Sequence, residues 1–156
     1  MRLSATMHTM TRAMILLAGM LLCGTAIATQ SGAAILVKEA WVRWLPANLP
    51  AGGYLTLVNQ GDAQVSLIGA SCADYGSVSL HQSFQQGTVS GMTPVTAISI
   101  KAHSTLDFAA EGYHLMLLQP KRPLKPGDRI SITLNFSSGA AIAAQFELRP
   151  ADAGGR

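Results

Sequence analysis

An all-β fold, an antiparallel sandwich or barrel, is what this sequence predicts, and three observations predict it. Apolar residues recur at every second position in short bursts, the spacing of a strand with one buried face. Gly, Pro, Asn and Asp separate the bursts, so that many short strands follow one another with turn signals between them. Past the first 28 residues, no stretch carries apolar residues at helical spacing.

Taken in order, "ILVKEAWVRW" (Ile35 to Trp44) reads as the first strand and "LPANLPAGG" (Leu45 to Gly53) as a Pro-rich loop. "YLTLVN" then runs to a turn at Gln60, Gly61 and Asp62, followed by the strand "AQVSLIGAS" and, after a further turn, by "SVSLHQSF" (Ser77 to Phe84). Val95 to Ile100, Ser104 to Phe108 and Tyr113 to Leu118 are the next strands expected. "KRPLKPGD" (Lys121 to Asp128) is a turn, since each Pro removes a ladder donor. "RISITLNF" (Arg129 to Phe136) and "AAIAAQFEL" (Ala140 to Leu148) close the series across a Ser-Ser-Gly turn. The polar tail, residues 151–156, is expected to be disordered.

The N-terminus stands apart. Arg2 and Arg12 precede an apolar run from Ala13 to Cys23, which leads to the small-residue pattern Ala26-Ile27-Ala28. That order reads as a secretory signal peptide over residues 1–28, and the run is too short for a permanent membrane span. Leu22 stands before Cys23 where a lipidation site would want a small residue, so simple cleavage is the expectation. The remaining 128 residues suit one domain, over 29–150, with no stable membrane insertion and a monomeric state expected.

Cleavage changes the composition. The 11 Lys and Arg become 9 against 8 Asp and Glu, and no charge run remains to support a nucleic-acid partner. Cys72 is left alone, which excludes an internal disulfide and suits a buried thiol acting as a small hydrophobe. Of 7 methionines only Met92 and Met116 survive, and of 4 histidines His81, His103 and His114. In "GYHLMLLQ" the alternation of a strand puts His114 and Met116 on one side and Tyr113, Leu115 and Leu117 on the other. One side reads as core and the other as a site.

His81 is followed by ten residues and Met92, then by twenty-one residues and the His-x-Met of His114 and Met116. This spacing resembles the signature of the periplasmic copper chaperones of the PCuAC type at all four positions. "EAWVR", "AGGYLTLVN", "LIGASC", "MTPV", "GYHLMLL" and "KRPLKPGD" are similar to segments of that family, in its order, over nearly the whole chain beyond the leader. The resemblance implies a cupredoxin-like antiparallel β-sandwich that binds one Cu(I) per chain through His81, Met92, His114 and Met116. It also implies an acceptor for the copper: the cytochrome oxidase subunit with the copper A centre, or a thioredoxin-like assembly protein.

The chemistry of the four side chains agrees. Two imidazoles and two thioethers form a neutral, soft donor set, suited to Cu(I) rather than to hard cations, and no Cys, Asp or Glu belongs to it as Zn(II) would favour. Both imidazoles must be neutral to coordinate, so affinity should fall as pH drops through about 6.5. Such a set describes a carrier rather than a catalyst.

His103 in "KAHSTLDF" falls outside the pattern and reads as a solvated loop residue. Trp41 and Trp44 are expected in the core or at its edge, and Asp107 and Glu111 read as solvated charges, with no nucleophile or pocket signature beside them. Gln82 stands beside His81 where many relatives carry Glu or Met, and the tail lacks the His and Met with which some relatives bind Cu(II). Two other functions are weighed: a blue-copper-like electron carrier, which would need a Cys thiolate among its ligands, and a metal-free sandwich that binds proteins.

Overall fold

A computed structural model describes residues 35–46 and 48–153. The expected leader, residues 1–28, and residues 154–156 of the tail lie outside the described residues. Ten strands occupy the chain: β1 Ile35–Arg43, β2 Ala51–Asn59, β3 Val65–Cys72, β4 Tyr75–Gln86, β5 Val89–Pro94, β6 Ile98–Ile100, β7 Ser104–Asp107, β8 Tyr113–Pro120, β9 Arg129–Phe136 and β10 Ala141–Arg149. Among the described residues there is no helix, as the lack of helical periodicity requires.

The strands follow one hydrogen-bonded path, β5-β4-β8-β2-β1-β10-β9-β3-β6, which does not close into a barrel. One edge of β2 is shared: its first residues pair with β8 and its last with β7. All neighbours run antiparallel except β1 and β10, the first and last strands, which lie parallel. The path folds over itself as a sandwich, so that Leu55, Leu80, Leu115 and Leu117 from its first half share one core with Leu67, Ile98, Ile132 and Phe146 from its second.

Alternation explains the best-formed strands. In β9 every second side chain, Ile130, Ile132, Leu134 and Phe136, is buried, and the residues between them are not. Gly139, with φ of 85°, makes the expected turn into β10, where a side chain would strain the left-handed backbone. In β1 the alternation changes phase: register on β2 shifts between Lys38 and Trp41, with Glu39 at φ 49°. That bulge turns Trp41 and Arg43 to the same side of the sheet as the β2 residues opposite them, Tyr54 and Gly52.

Three expectations are corrected. The Pro-rich loop ends at Pro50, because Ala51, Gly52 and Gly53 pair with both β1 and β8. Val95 to Ile100 is a strand only over Ile98–Ile100; Val95 instead donates its N–H to the Leu80 carbonyl at 2.9 Å, in the connection between β5 and β6. A strand that the alternation does not reveal, β5, lies at one end of the path, and none of its residues is fully buried. The described part of the tail, Ala151 to Ala153, is a turn closed by a hydrogen bond from the Ala153 N–H to the Pro150 carbonyl.

Leu115 sits between His114 and Met116 and is fully buried in the core. Leu115→Ala should cost about 3 kcal/mol, the range of a Leu-to-Ala cavity, read as a lower denaturant midpoint at unchanged slope.

Candidate metal centre

The register of β8 on β4 sets His114 directly opposite His81 and Met116 opposite Ser79. On the other side of β4, Met92 of β5 pairs with Ser83, two residues from His81. Directly opposed residues of an antiparallel pair share a face, as do residues two apart on a strand. All four side chains therefore project from one face of β5, β4 and β8, and Leu80, Leu115 and Leu117 from the other.

The two imidazoles stand 5.8 Å apart between ring centres, tilted by 37°. A metal ion bound to an imidazole lies roughly 2 Å from the nitrogen, so two rings sharing one ion have centres no more than about 6 Å apart. The observed separation meets that limit. His114 is 5% exposed. Its Nδ1 lies 3.3 Å from the Gly112 carbonyl oxygen, which can only accept, so the proton belongs on Nδ1 and Nε2 keeps its lone pair. His81 Nε2 lies 3.0 Å from Ser79 Oγ. His81 Nδ1 is enclosed and has no hydrogen-bond partner among the described residues, a nitrogen whose burial a bound ion would compensate.

Met92, His114 and Met116 line one open groove together with Arg43, Tyr54 and Ser83. Met92 is half exposed at the rim, whereas Met116 is partly covered, with Gly52 opposite it on β2. No group of three or more His, Cys, Asp or Glu gathers anywhere among the described residues. Beside the two imidazoles this face presents the thioether sulfurs of Met92 and Met116, and sulfur favours a soft ion.

The remaining candidates lie elsewhere. Cys72 ends β3, half-buried beside Asp74 and Tyr75, and burial pushes its thiol pKa up, against reactivity. His103 is largely exposed, with Nε2 2.8 Å from Asp62 Oδ1. Asp107 accepts a 2.6 Å hydrogen bond from Thr56 Oγ1, and Glu111 is exposed. Trp41 is buried with its ring 4.7 Å from that of Tyr54, and Trp44 packs against the core edge. Sequence reasoning overlooked Ser79 and Ser83, which the alternation through His81 could have found. It overlooked Arg43 and Tyr54 too, which only the pairing of β1 with β2 brings to the groove.

The chain matches the family model "Putative lipoprotein LpqE-like" over residues 35–148. It is 32% identical to "Putative lipoprotein Lxx21020" of Leifsonia xyli over 107 residues, which is 68% of this chain and 64% of that protein's length. Among solved structures it is similar to the Cu(I) form of DR1885 from Deinococcus radiodurans, at TM-score 0.62 and 32% identity over 83% of this chain and 89% of the other. The copper-bound PCuAC domain of PmoF2 has the same fold at TM-score 0.64 and 24% identity, covering 76% of this chain and 94% of that domain.

Burial holds the pKa of His114 below the ordinary 6.5, opposed by the Gly112 hydrogen bond and helped by the neighbouring His81. The unfolded chain then binds a proton more readily than the folded one. Stability from this residue is complete above the ordinary histidine value and is lost as pH falls through the lower, folded one. Thermal melts of the metal-free protein should show the melting temperature falling below about pH 6.5. In His114→Gln the decline over that window should be shallower.

Proposed function

This chain belongs to the LpqE-like family, and we propose that it is an exported, periplasmic copper chaperone that binds one Cu(I) through His81, Met92, His114 and Met116. A single observation carries this reading: strand register brings two imidazoles and two thioethers from three strands to one face, with the imidazole rings at a separation that one ion can bridge. Support comes from the copper in the related structures, DR1885 above all at 32% identity.

The donor set accounts for carriage rather than catalysis. His114 offers Nε2 because Gly112 holds its other nitrogen, and His81 offers Nδ1 in the tautomer whose Nε2–H donates to Ser79 Oγ. Four protein donors leave no open position for a substrate. The set contains no thiolate, so an acceptor that offers cysteines can draw the ion away. The acceptor we favour is the copper A subunit of cytochrome oxidase, or a thioredoxin-like protein that prepares it.

Export rests on the leader-like first 28 residues. The relatives' lipoprotein names agree with export. A blue-copper electron carrier is disfavoured because Cys72 belongs to β3 and does not line the groove of Met92, His114 and Met116.

Titration of the leader-free protein with Cu(I) against a colorimetric chelator should show one equivalent retained per chain. Met92→Leu combined with Met116→Leu conserves volume and spares the fold, and should weaken retention by more than about tenfold. Equal affinity in the double variant would take both thioethers out of the mechanism.

A further inference from the structure

Beside the proposed donors stands a cation that forms no ion pair among the described residues. Arg43 and Gly52 are opposite one another on β1 and β2, and Gly52 is opposite Met116 on β8, so the three form a row across one face. Neighbouring strands are about 4.8 Å apart, which puts the Arg43 backbone roughly 10 Å from that of Met116 with a side chain long enough to close much of the gap. Gly52, with no side chain of its own, leaves its place in the row to Tyr54. A Cβ there would lie 2.7 Å from Tyr54 Oη, so the tyrosine leans over the glycine, and the Arg43 guanidinium carbon rests 5.3 Å from the centre of its ring.

Arg43 lines the same groove as Met92, His114 and Met116, and its Nε is buried with no hydrogen-bond partner. It forms no ion pair among the described residues. Arg149, its cross-strand neighbour on β10, lies near Glu147 instead, and Glu111 lines the adjoining groove on the far side of Met92 and Ala110. The groove lined by three of the four uncharged donors, Met92, His114 and Met116, therefore has a positive charge in its wall before any metal enters.

From this arrangement we infer that Arg43 is a specificity-determining residue, whose charge makes the site prefer monovalent over divalent ions. The inference rests on the copper reading and adds a discrimination that thioether softness does not supply. Coulomb repulsion scales with the charge of the entering ion, so whatever factor Arg43 takes from the affinity of a monovalent ion, it takes the square of that factor from a divalent one. At such distances, near a protein surface, the monovalent factor is about five to ten. Arg43 touches no metal in this scheme and acts through the field alone.

The test uses two redox-inert probes, Ag(I) and Zn(II), titrated into the leader-free protein and into Arg43→Gln and Arg43→Lys. In Arg43→Gln the ratio of Ag(I) to Zn(II) affinity should fall about five- to tenfold, most at low salt, and Arg43→Lys should keep the ratio of the parent. Because the ratio is taken within each protein, a general loss of stability from the vacated Tyr54 ring cancels. An unchanged or higher ratio in Arg43→Gln would overturn the inference. So would a Lys variant that behaves like the Gln variant, since stacking rather than charge would then be responsible, or Zn(II) binding that stays undetectable in Arg43→Gln. Parallel Cu(I) titration of the parent separates the two levels: failure to retain Cu(I) sinks the chaperone reading, whereas retained Cu(I) with an unmoved ratio sinks only the role of Arg43.

Discussion

The register of β8 against β4 is the constraint on which everything at the candidate centre depends. Side chains alternate with a period of two, so a slip of one residue would send His114 and Met116 into the core and Leu115 and Leu117 to the groove. The buried leucines forbid that slip. Leu80, Leu115 and Leu117 are sealed in the sandwich interior, and their burial holds His81 opposite His114. Hydrophobic packing on one face thus positions polar chemistry on the other, with no residue of the site having to stabilise its own location.

A second layer borders this one. The β1 bulge at Glu39 resets the alternation so that Trp41 and Arg43 face the same side as Tyr54 and Gly52. Trp41 and Tyr54 pack ring against ring at a tilt, Arg149 lies 5.3 Å from the Trp41 ring centre, and Arg43 lies over Tyr54. These contacts order an arginine at the groove with no ion pair among the described residues.

Much of this was legible in the residues, and the exceptions have physical reasons. β9 and β8 could be read because each alternates against a single core. β5, "VSGMTP", could not: it has no alternation, includes a proline, and exists as a strand because β4 extends past the core and offers it an edge. The parallel contact of β1 with β10 joins residues more than a hundred positions apart and leaves no local trace. The four proposed donors were accessible through a spacing that resembles the family signature. Their meeting point depends on the β5-β4 hairpin, which carries Met92 back beside His81. Arg43 stood in the family-like segment "EAWVR" with nothing to mark it as a site residue, because the role inferred for it comes from the strand pairing that brings it to the groove with no ion pair among the described residues.

The hairpin also makes the proposed donor set mechanically unequal. His81 and His114 belong to strands whose other faces are locked into the core, so the interval between their nitrogens is stiff. Met92 projects from a terminal strand with one bonded neighbour and no fully buried residue, so its sulfur is compliant. In the proposed site an ion of larger or smaller radius would accordingly be fitted by travel of that sulfur, while the two nitrogens hold still.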